Sequence, residues 1–173
     1  MSHPLVLALF ESPANAARAA RDLRTLGVPQ QQVSIVARSH DEEGELARVT
    51  DTSPGSEIED SRVAGRLGEL GAHLLAAIAL IVPGIGPIVA DGPLAAGLGE
   101  AAGHVGGGLA RTLERAGLSA EDAERWESRI EAGAILVGAH ISGQDVAAVR
   151  EVMARNGAAD RADVTWPEGG GRR

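Results

Sequence analysis

Short apolar runs and amphipathic helical stripes follow one another at the start of the chain. Residues 5–10 are all apolar, which is typical of a buried strand. Ser12 and Pro13 then predict the cap and first turn of a helix, which Gly27 ends. Apolar side chains fall on one face of this helix: Ala16, Ala19, Leu23 and Leu26. Residues 33–37, Val-Ser-Ile-Val-Ala, are mostly apolar and predict a second strand.

The C-terminal part repeats this pattern. Residues 135–139 predict a strand, and Ser142 with Asp145 forms a capping-box pattern at the start of a helix that Gly157 ends. The apolar stripe of this helix is Val146, Val149 and Met153. A weaker strand is predicted at 162–166. In both units, 22 positions separate the first strand residue from the terminal glycine.

Two matched strand–helix–strand units predict an α+β fold with a ferredoxin-like, four-stranded antiparallel sheet, in which the units interleave through right-handed crossovers. Successive strand side chains point to opposite faces. We expect Leu5, Leu7 and Leu9 to face the helices of the two units. The residues expected on the other face are Val6, Ala8, Phe10, Leu136 and Gly138. An apolar second face must be covered, either by the central part of the chain or by a second subunit.

The central part of the chain separates the two units. Residues 39–62 are polar and acidic, whereas 63–118 are rich in glycine and alanine, and 70–90 contain no charged residue. Small residues recur at helical spacing: Ala64, Gly68, Ala72 and Ala76, then Gly99, Gly103 and Gly107. The six glycines between positions 97 and 108 cost a helix about 5 kcal/mol in propensity. Close packing between helices would offset that cost, so we predict a helical hairpin insertion with its tip at 83–93.

These patterns divide the chain into five parts. Residues 1–38 form the first unit, 39–62 an acidic loop and 63–118 the helical hairpin insertion. Residues 119–166 contain a further helix and the second unit, and 167–173 are predicted to be a disordered tail. In that further helix, Ser119 and Asp122 predict a capping box and Trp126 a core position, while Trp166 is expected to close the sheet edge.

The hairpin could pack in solution or enter a membrane. The apolar run at 74–82 has nine residues, which as a helix is about 13 Å long and well short of the roughly 30 Å of a bilayer core. Four arginines would gather at the hairpin base, which favours a membrane: Arg62, Arg66, Arg111 and Arg115. Asp91, Glu100 and His104 oppose it. Both interpretations stay open.

Composition excludes several classes of function. The net charge is −8, and residues 41–60 alone carry eight carboxylates and one arginine. With three aromatic residues and no basic cluster, the chain is not expected to bind nucleic acid. The absence of cysteine excludes disulfides, thiolate metal sites and thiol catalysis. No basic residue precedes the first apolar run, so we expect no signal peptide and a cytoplasmic location.

No motif indicates catalysis or a cofactor. The five histidines lack metal-ligand spacing, and residues 40–45 lack the ligand order of a calcium loop, so both are interpreted as solvated or packing residues. Gly84 and Gly86 do not form a dinucleotide fingerprint, and no serine lies in a nucleophile elbow. We expect no catalytic, cofactor-binding or metal-binding residues, and no enzyme.

The order of motifs resembles the bacterial general stress protein 17M-like family. The resemblance lies in Leu-Val-Leu-Ala-Leu-Phe-Glu-Ser at 5–12, Val-Pro-Gly-Ile-Gly-Pro-Ile-Val-Ala at 82–90 and Gly-Pro-Leu-Ala-Ala at 92–96. Residues 117–123, 126–133 and 135–137 extend it over nearly the full chain. It implies association with a stress response, with no established enzymatic role and no cofactor.

These observations predict a non-enzymatic, stress-associated protein that acts through self-association or partner binding by the glycine-rich hairpin. The residues expected to make that interaction are Pro83, Gly84, Gly86, Pro87, Gly99, Gly103 and Gly107. The expected partner is a second copy of the chain. One alternative is a membrane-associated protein anchored by the apolar hairpin. A third is a small-molecule sensor on a ferredoxin-like sheet, which rests on analogy of fold alone.

Overall fold

A computed structural model describes residues 2–38, 78–82, 86–102 and 108–167 of the chain. The strands are β1 (Ser2–Phe10), β2 (Val33–Arg38), β3 (Ile78–Val82), β4 (Gly86–Asp91), β5 (Ile135–His140) and β6 (Asp160–Pro167). The helices are α1 (Pro13–Thr25), α2 (Pro93–Ala102), α3 (Leu109–Ala116), α4 (Ala120–Glu131) and α5 (Val146–Arg155). A short 3₁₀ helix, Gln30–Gln32, precedes β2.

The strands form one sheet in the order β3-β4-β2-β5-β1-β6, and every neighbouring pair is antiparallel. The predicted combination of helices with a four-stranded antiparallel sheet is confirmed by β2, β5, β1 and β6. Two further strands, β4 and β3, extend the sheet beyond β2. β6 begins at Asp160, two residues before the predicted strand, and includes Pro167, which was assigned to the tail.

Helices cover both faces of the sheet. On the first face, α1 and α5 pack with Val6, Ala8 and Phe10 in one buried cluster. On the second face, α2, α3 and α4 pack with Leu5, Leu7, Leu9 and Leu136 in another. The predicted alternation along β1 is therefore confirmed, and α2 and α3 contribute to the cover of the second face.

The predicted assignment of the two faces was wrong. Leu5, Leu7 and Leu9 do not face α1 and α5, and Leu136 lies with these leucines instead of with Val6. Gly138 also belongs to the leucine face, because a β-carbon on it would lie 3.0 Å from Leu7 Cδ2. Alternation separates two sets of side chains but does not say which helices cover each set. Helix α1 presents mostly alanine, and it packs against the face that carries the single phenylalanine.

The predicted helix ends are mostly confirmed. Ser12 and Pro13 begin α1, and Gly27 follows its end with φ +98°. Ser119 Oγ accepts a hydrogen bond from the backbone N–H of Asp122 at the start of α4. The capping box predicted at Ser142 was wrong, because the N-cap of α5 is Asp145, whose carboxylate accepts from the N–H of Ala147.

The helical prediction was wrong for residues 78–82, which form β3, and the predicted hairpin tip at 83–93 was wrong for residues 86–91, which form β4. Both segments are rich in isoleucine and valine, whose branched β-carbons suit a pleated strand. An uncharged apolar run fits a buried helix and a buried strand equally well by periodicity. The acidic loop at 39–62 and the first part of the insertion, 63–77, lie outside the described residues.

Helices α2 and α3 approach each other closely at a glycine. A β-carbon on Gly97 would lie 3.3 Å from Thr112 Cγ2 and 3.8 Å from the ring of Trp166. Absence of a side chain at Gly97 therefore lets the two helices pack together beneath β6. The neighbouring region of α2, from Leu94 to Leu98, lies over the leucine face of the sheet.

Candidate functional site

The structure places few of the residues predicted to make the interaction. Gly86 and Pro87 lie in β4, opposite Val82 and Ile81 of β3. Gly99 lies within α2. Pro83 and Gly84 lie outside the described residues, as do Gly103 and Gly107. The described members of the predicted set are thus split between β4, the strand next to the outer strand β3, and helix α2.

A buried chain of hydrogen bonds joins three strands and one helix instead. His140, the last residue of β5, is fully buried. Its Nδ1 lies 2.9 Å from His3 Nε2 on β1, and its Nε2 lies 3.1 Å from Ser34 Oγ on β2. Ser34 Oγ in turn accepts a hydrogen bond of 3.0 Å from the backbone N–H of Leu94, in the first turn of α2. We call His3, His140, Ser34 and the Leu94 N–H the polar chain.

The turn before α2 brings that helix onto Ser34. Gly92 has φ +79°, a backbone conformation that favours glycine, and Pro93 follows as the first residue of the helix. A β-carbon on Gly92 would lie 2.7 Å from the α-carbon of Ser34. Gly92 therefore permits the close approach that lets Ser34 take the place of a local N-cap side chain.

The hydrogen bonds run in one direction along the polar chain. A backbone N–H can only donate, so Ser34 Oγ accepts from Leu94 and its own hydroxyl proton is free to donate to His140 Nε2. The neutral His140 ring then carries its proton on Nδ1 and donates to His3 Nε2. This arrangement pairs the Ser34 hydroxyl and both ring nitrogens of His140 without any charge.

The surroundings of His140 favour the neutral ring. Burial, followed by the nearby charge of His3, lowers the pKa of His140 from 6.5 to about 4. The Trp166 ring lies nearly perpendicular to the imidazole, with 5.3 Å between centroids. The N-terminal end of α2 carries a partial positive charge and also opposes an imidazolium nearby.

A serine and a histidine within hydrogen-bond reach can serve as nucleophile and base. Here both side chains are fully buried, at 0% exposure. A surface cavity of about 670 Å³ lies elsewhere, between α3 and α4, and is lined by Gly108, Ala110, Arg111, Glu114, Arg115, Glu124 and Glu127. The geometry of Ser34 and His140 therefore suits the joining of β5, β2 and α2 better than attack on a substrate.

Glu127 is one of the residues that line the cavity between α3 and α4, and its carboxylate binds the start of α3. Glu127 of α4 accepts a hydrogen bond of 2.5 Å from the N–H of Ala110, in the first turn of α3. The N-cap of α3 is Gly108, which has no side chain to satisfy this donor. Glu127 thus supplies the missing cap and joins the two helices.

The described part of the chain contains no group of three or more histidine, aspartate or glutamate side chains arranged to hold a metal ion. None of the helices described combines the length and the apolar character that crossing a membrane requires.

The sequence did not predict the polar chain, because its members are far apart in sequence. Ser34 and His140 are separated by 106 positions, and His3 and His140 by 137. One signal was present: His140 lies between Ala139 and Ile141 in an apolar run, so a buried histidine was to be expected there. Its partners depend on the pairing of β5 with β1 and β2.

Comparison with known protein families, with curated proteins and with solved structures finds no match to this chain.

Proposed function

We propose that this chain is a non-enzymatic, stress-associated protein of the general stress protein 17M-like type, and that it acts by self-association. The observation that carries self-association is the outer strand β3, which ends the sheet on one side without a charged residue. The full burial of Ser34 and His140 supports a role without catalysis.

The proposal includes a ferredoxin-like core. The order β2-β5-β1-β6 supports it, since β5 lies between the two strands of the first unit and β1 between those of the second. Helices α1 and α5 lie on the same face of these strands, which is what two equivalent crossovers require. β4 and β3 are then additions at the β2 side of that core.

β3 is an unusual outer strand because of its composition. Its sequence, Ile-Ala-Leu-Ile-Val, contains neither a charge nor a proline. Among the described residues, β3 pairs with β4 alone, and none of them occupies the backbone groups on its other side. Soluble proteins generally protect such an edge with charges, prolines or bulges, because an apolar edge pairs readily with a second chain.

The opposite edge of the sheet has that protection. β6 exposes Arg161, Asp163 and Thr165, and Asp163 forms an ion pair of 2.6 Å with Arg150 of α5. Pairing at this edge would bring charged side chains of two molecules together. The two edges therefore differ in the property that decides pairing, and β3 is the edge suited to it.

The proposed occupant of the β3 edge is β3 of a second copy. Two identical strands can pair antiparallel about a two-fold axis, which gives a closed dimer with the same surface buried on both subunits. Every strand pair in this sheet is antiparallel, so the dimer would continue the same hydrogen-bond pattern across the axis.

Light scattering of the purified full chain on a sizing column tests this proposal. We expect a mass twice the 17.7 kDa of one chain. In an antiparallel pair, the N–H groups of successive residues point alternately toward and away from the partner strand. One of the two variants Ala79→Pro and Leu80→Pro therefore removes an outward N–H while leaving the pairing with β4 intact, and that variant should have the mass of one chain with an unchanged circular dichroism spectrum.

The matched control is Arg161→Pro on the opposite edge. The N–H of Arg161 donates to its neighbour Asp160 and not to β1, so proline there also removes an outward N–H. This variant should remain a dimer. A wild-type chain with the mass of one copy would overturn the self-association proposal. Dimers that persist in both β3 variants would show that a surface other than β3 makes the contact.

A further inference from the structure

The polar chain lies at the joint between the ferredoxin-like strands and α2, and its geometry depends on one uncharged ring. His140 is the central member, with Ser34 on one side and His3 on the other. Each bond in the chain uses a donor and an acceptor that are assigned only when the His140 and His3 rings each carry a single proton, because Nε2 of a doubly protonated His3 can no longer accept. A second proton on the His140 ring changes that assignment.

Protonation reverses the bond between His140 and Ser34. Both ring nitrogens of an imidazolium are donors, so Nε2–H would have to donate to Ser34 Oγ. The Ser34 hydroxyl proton then needs another acceptor, and Ser34 is fully buried while its oxygen already accepts from Leu94. Protonation therefore leaves a buried hydroxyl proton unpaired, which is costly in a low-dielectric interior.

Among the described residues, the groups that face His140 supply no negative charge to balance an imidazolium. β1 contributes His3, whose charge would repel the imidazolium, and β2 contributes the neutral Ser34. α2 contributes the Leu94 N–H and the positive end of its dipole. β6 contributes the uncharged Trp166 ring, whose plane is nearly perpendicular to the imidazole. In the described part of the chain, no carboxylate contacts the His140 ring.

We propose that the polar chain is an acid-operated latch, in which a second proton on His140 releases the N-terminus of α2 from β2. The first turn of α2 is the element expected to move, because it is held to β2 through the Ser34–Leu94 hydrogen bond and the tight Gly92 turn. Opening this turn admits water to the Ser34 hydroxyl and the imidazolium, so the charge is solvated without unfolding of the sheet.

Amide hydrogen exchange on the full chain between about pH 7 and about pH 4 tests the latch. We expect the amide protection of Leu94 and Ala95 to fall by about tenfold or more as the pH falls, while the amides of Leu7 and Val137 in the central strands keep theirs. In the wild type, the ring ¹⁵N shifts of His140 should titrate with the same midpoint as the loss of protection at Leu94.

The control variant is His140→Gln, whose side chain donates and accepts hydrogen bonds but does not titrate in this range. Protection of Leu94 should then be independent of pH. Loss of protection at the same pH in this variant would overturn the proposal. Two results from the wild type would also overturn it and need no variant: different midpoints for the His140 ring and the Leu94 amide, or simultaneous loss of protection throughout the sheet.

Discussion

A β-carbon built on Gly92 would stand 2.3 Å from the carbonyl oxygen of Val33. This distance is far below van der Waals contact, and the atom approached is a backbone atom of a central strand, which cannot move aside. Gly92 also has φ +79°. The turn between β4 and α2 is therefore pressed against β2, and that contact places the N–H of Leu94 on Ser34.

Gly92→Ala should reduce the free energy of unfolding by about 3 kcal/mol or more, through backbone strain and the clash with Val33. The matched control is Gly27→Ala. Gly27 has φ +98°, but nothing lies within 4 Å of its β-carbon position. That variant should lose about 1 kcal/mol from strain alone. Urea denaturation measures both, and equal losses would contradict the close approach.

Gly138 tests the packing of the leucine face. A β-carbon there would lie 3.0 Å from Leu7 Cδ2 and 3.4 Å from both Leu5 and Leu94. Gly138→Ala should therefore destabilise the protein by about 1 kcal/mol, because three leucine side chains must shift. Gly143→Ala is the control, since nothing lies within 4 Å of its β-carbon position. Its thermal midpoint should stay close to that of the wild type.

Asp160 connects α4 to the start of β6. Its carboxylate accepts from the indole N–H of the buried Trp126 at 3.1 Å, and Arg125 lies 3.3 Å from the same oxygen. Asp160→Ala should cost about 2 kcal/mol, because the indole N–H is left without an acceptor. Asp160→Asn should cost less, since its amide oxygen can still accept.

The control for Asp160 is an exposed ion pair at the same edge of the sheet. Asp163 and Arg150 are 43% and 49% exposed, so Asp163→Ala should cost about 0.5 kcal/mol or less. Chemical denaturation followed by tryptophan fluorescence compares the variants. A loss in Asp160→Ala no larger than that in Asp163→Ala would show that the Trp126 bond contributes nothing.

His140 should make folding stability depend on pH. The unfolded chain takes up a proton with the ordinary pKa of 6.5, whereas the folded chain does so only at about 4. The unfolded state therefore binds more protons between these values, and stability falls as the pH falls from 6.5 to about 4. The total loss is about 3 kcal/mol, and it levels off below the folded pKa.

The difference in unfolding free energy between wild type and His140→Gln isolates this contribution. Asp22 acts in a separate range, because hydrogen bonding from Asn156 and the nearby Arg155 lower its pKa below 3.8. The stability that Asp22 contributes is therefore lost below pH 3.8, outside the range in which His140 acts. A difference that stays constant from about pH 7 to about pH 4 would contradict the lowered pKa of His140.

Local sequence signals predicted the elements near both ends of the chain. Ser119 with Asp122 marks a helix start because a cap acts on backbone groups within one turn. Pro13 marks the start of α1 because its fixed φ suits a first turn, while Ser12 occupies the N-cap position without a side-chain hydrogen bond. Trp126, predicted as a core residue, is 1% exposed. The sequence failed for Asp145, since Ser142 offered an equally good cap three residues earlier and only the loop from β5 decides between them.

Sequence patterning alone predicted the strands and helices of the two terminal units to within a few residues, and that β1 is apolar on both faces. It predicted most of their core, but Leu26, placed on the apolar stripe of α1, is 38% exposed. Tertiary structure decided which helices cover each face, that Ile78–Val82 and Gly86–Asp91 are strands, and that His140 meets Ser34 and His3. The physical reason is the distance along the sequence over which each interaction acts. Caps, turns and alternation act between residues a few positions apart, whereas a sheet edge, a packed face and a buried histidine's partners depend on strands that pairing brings together from distant parts of the chain.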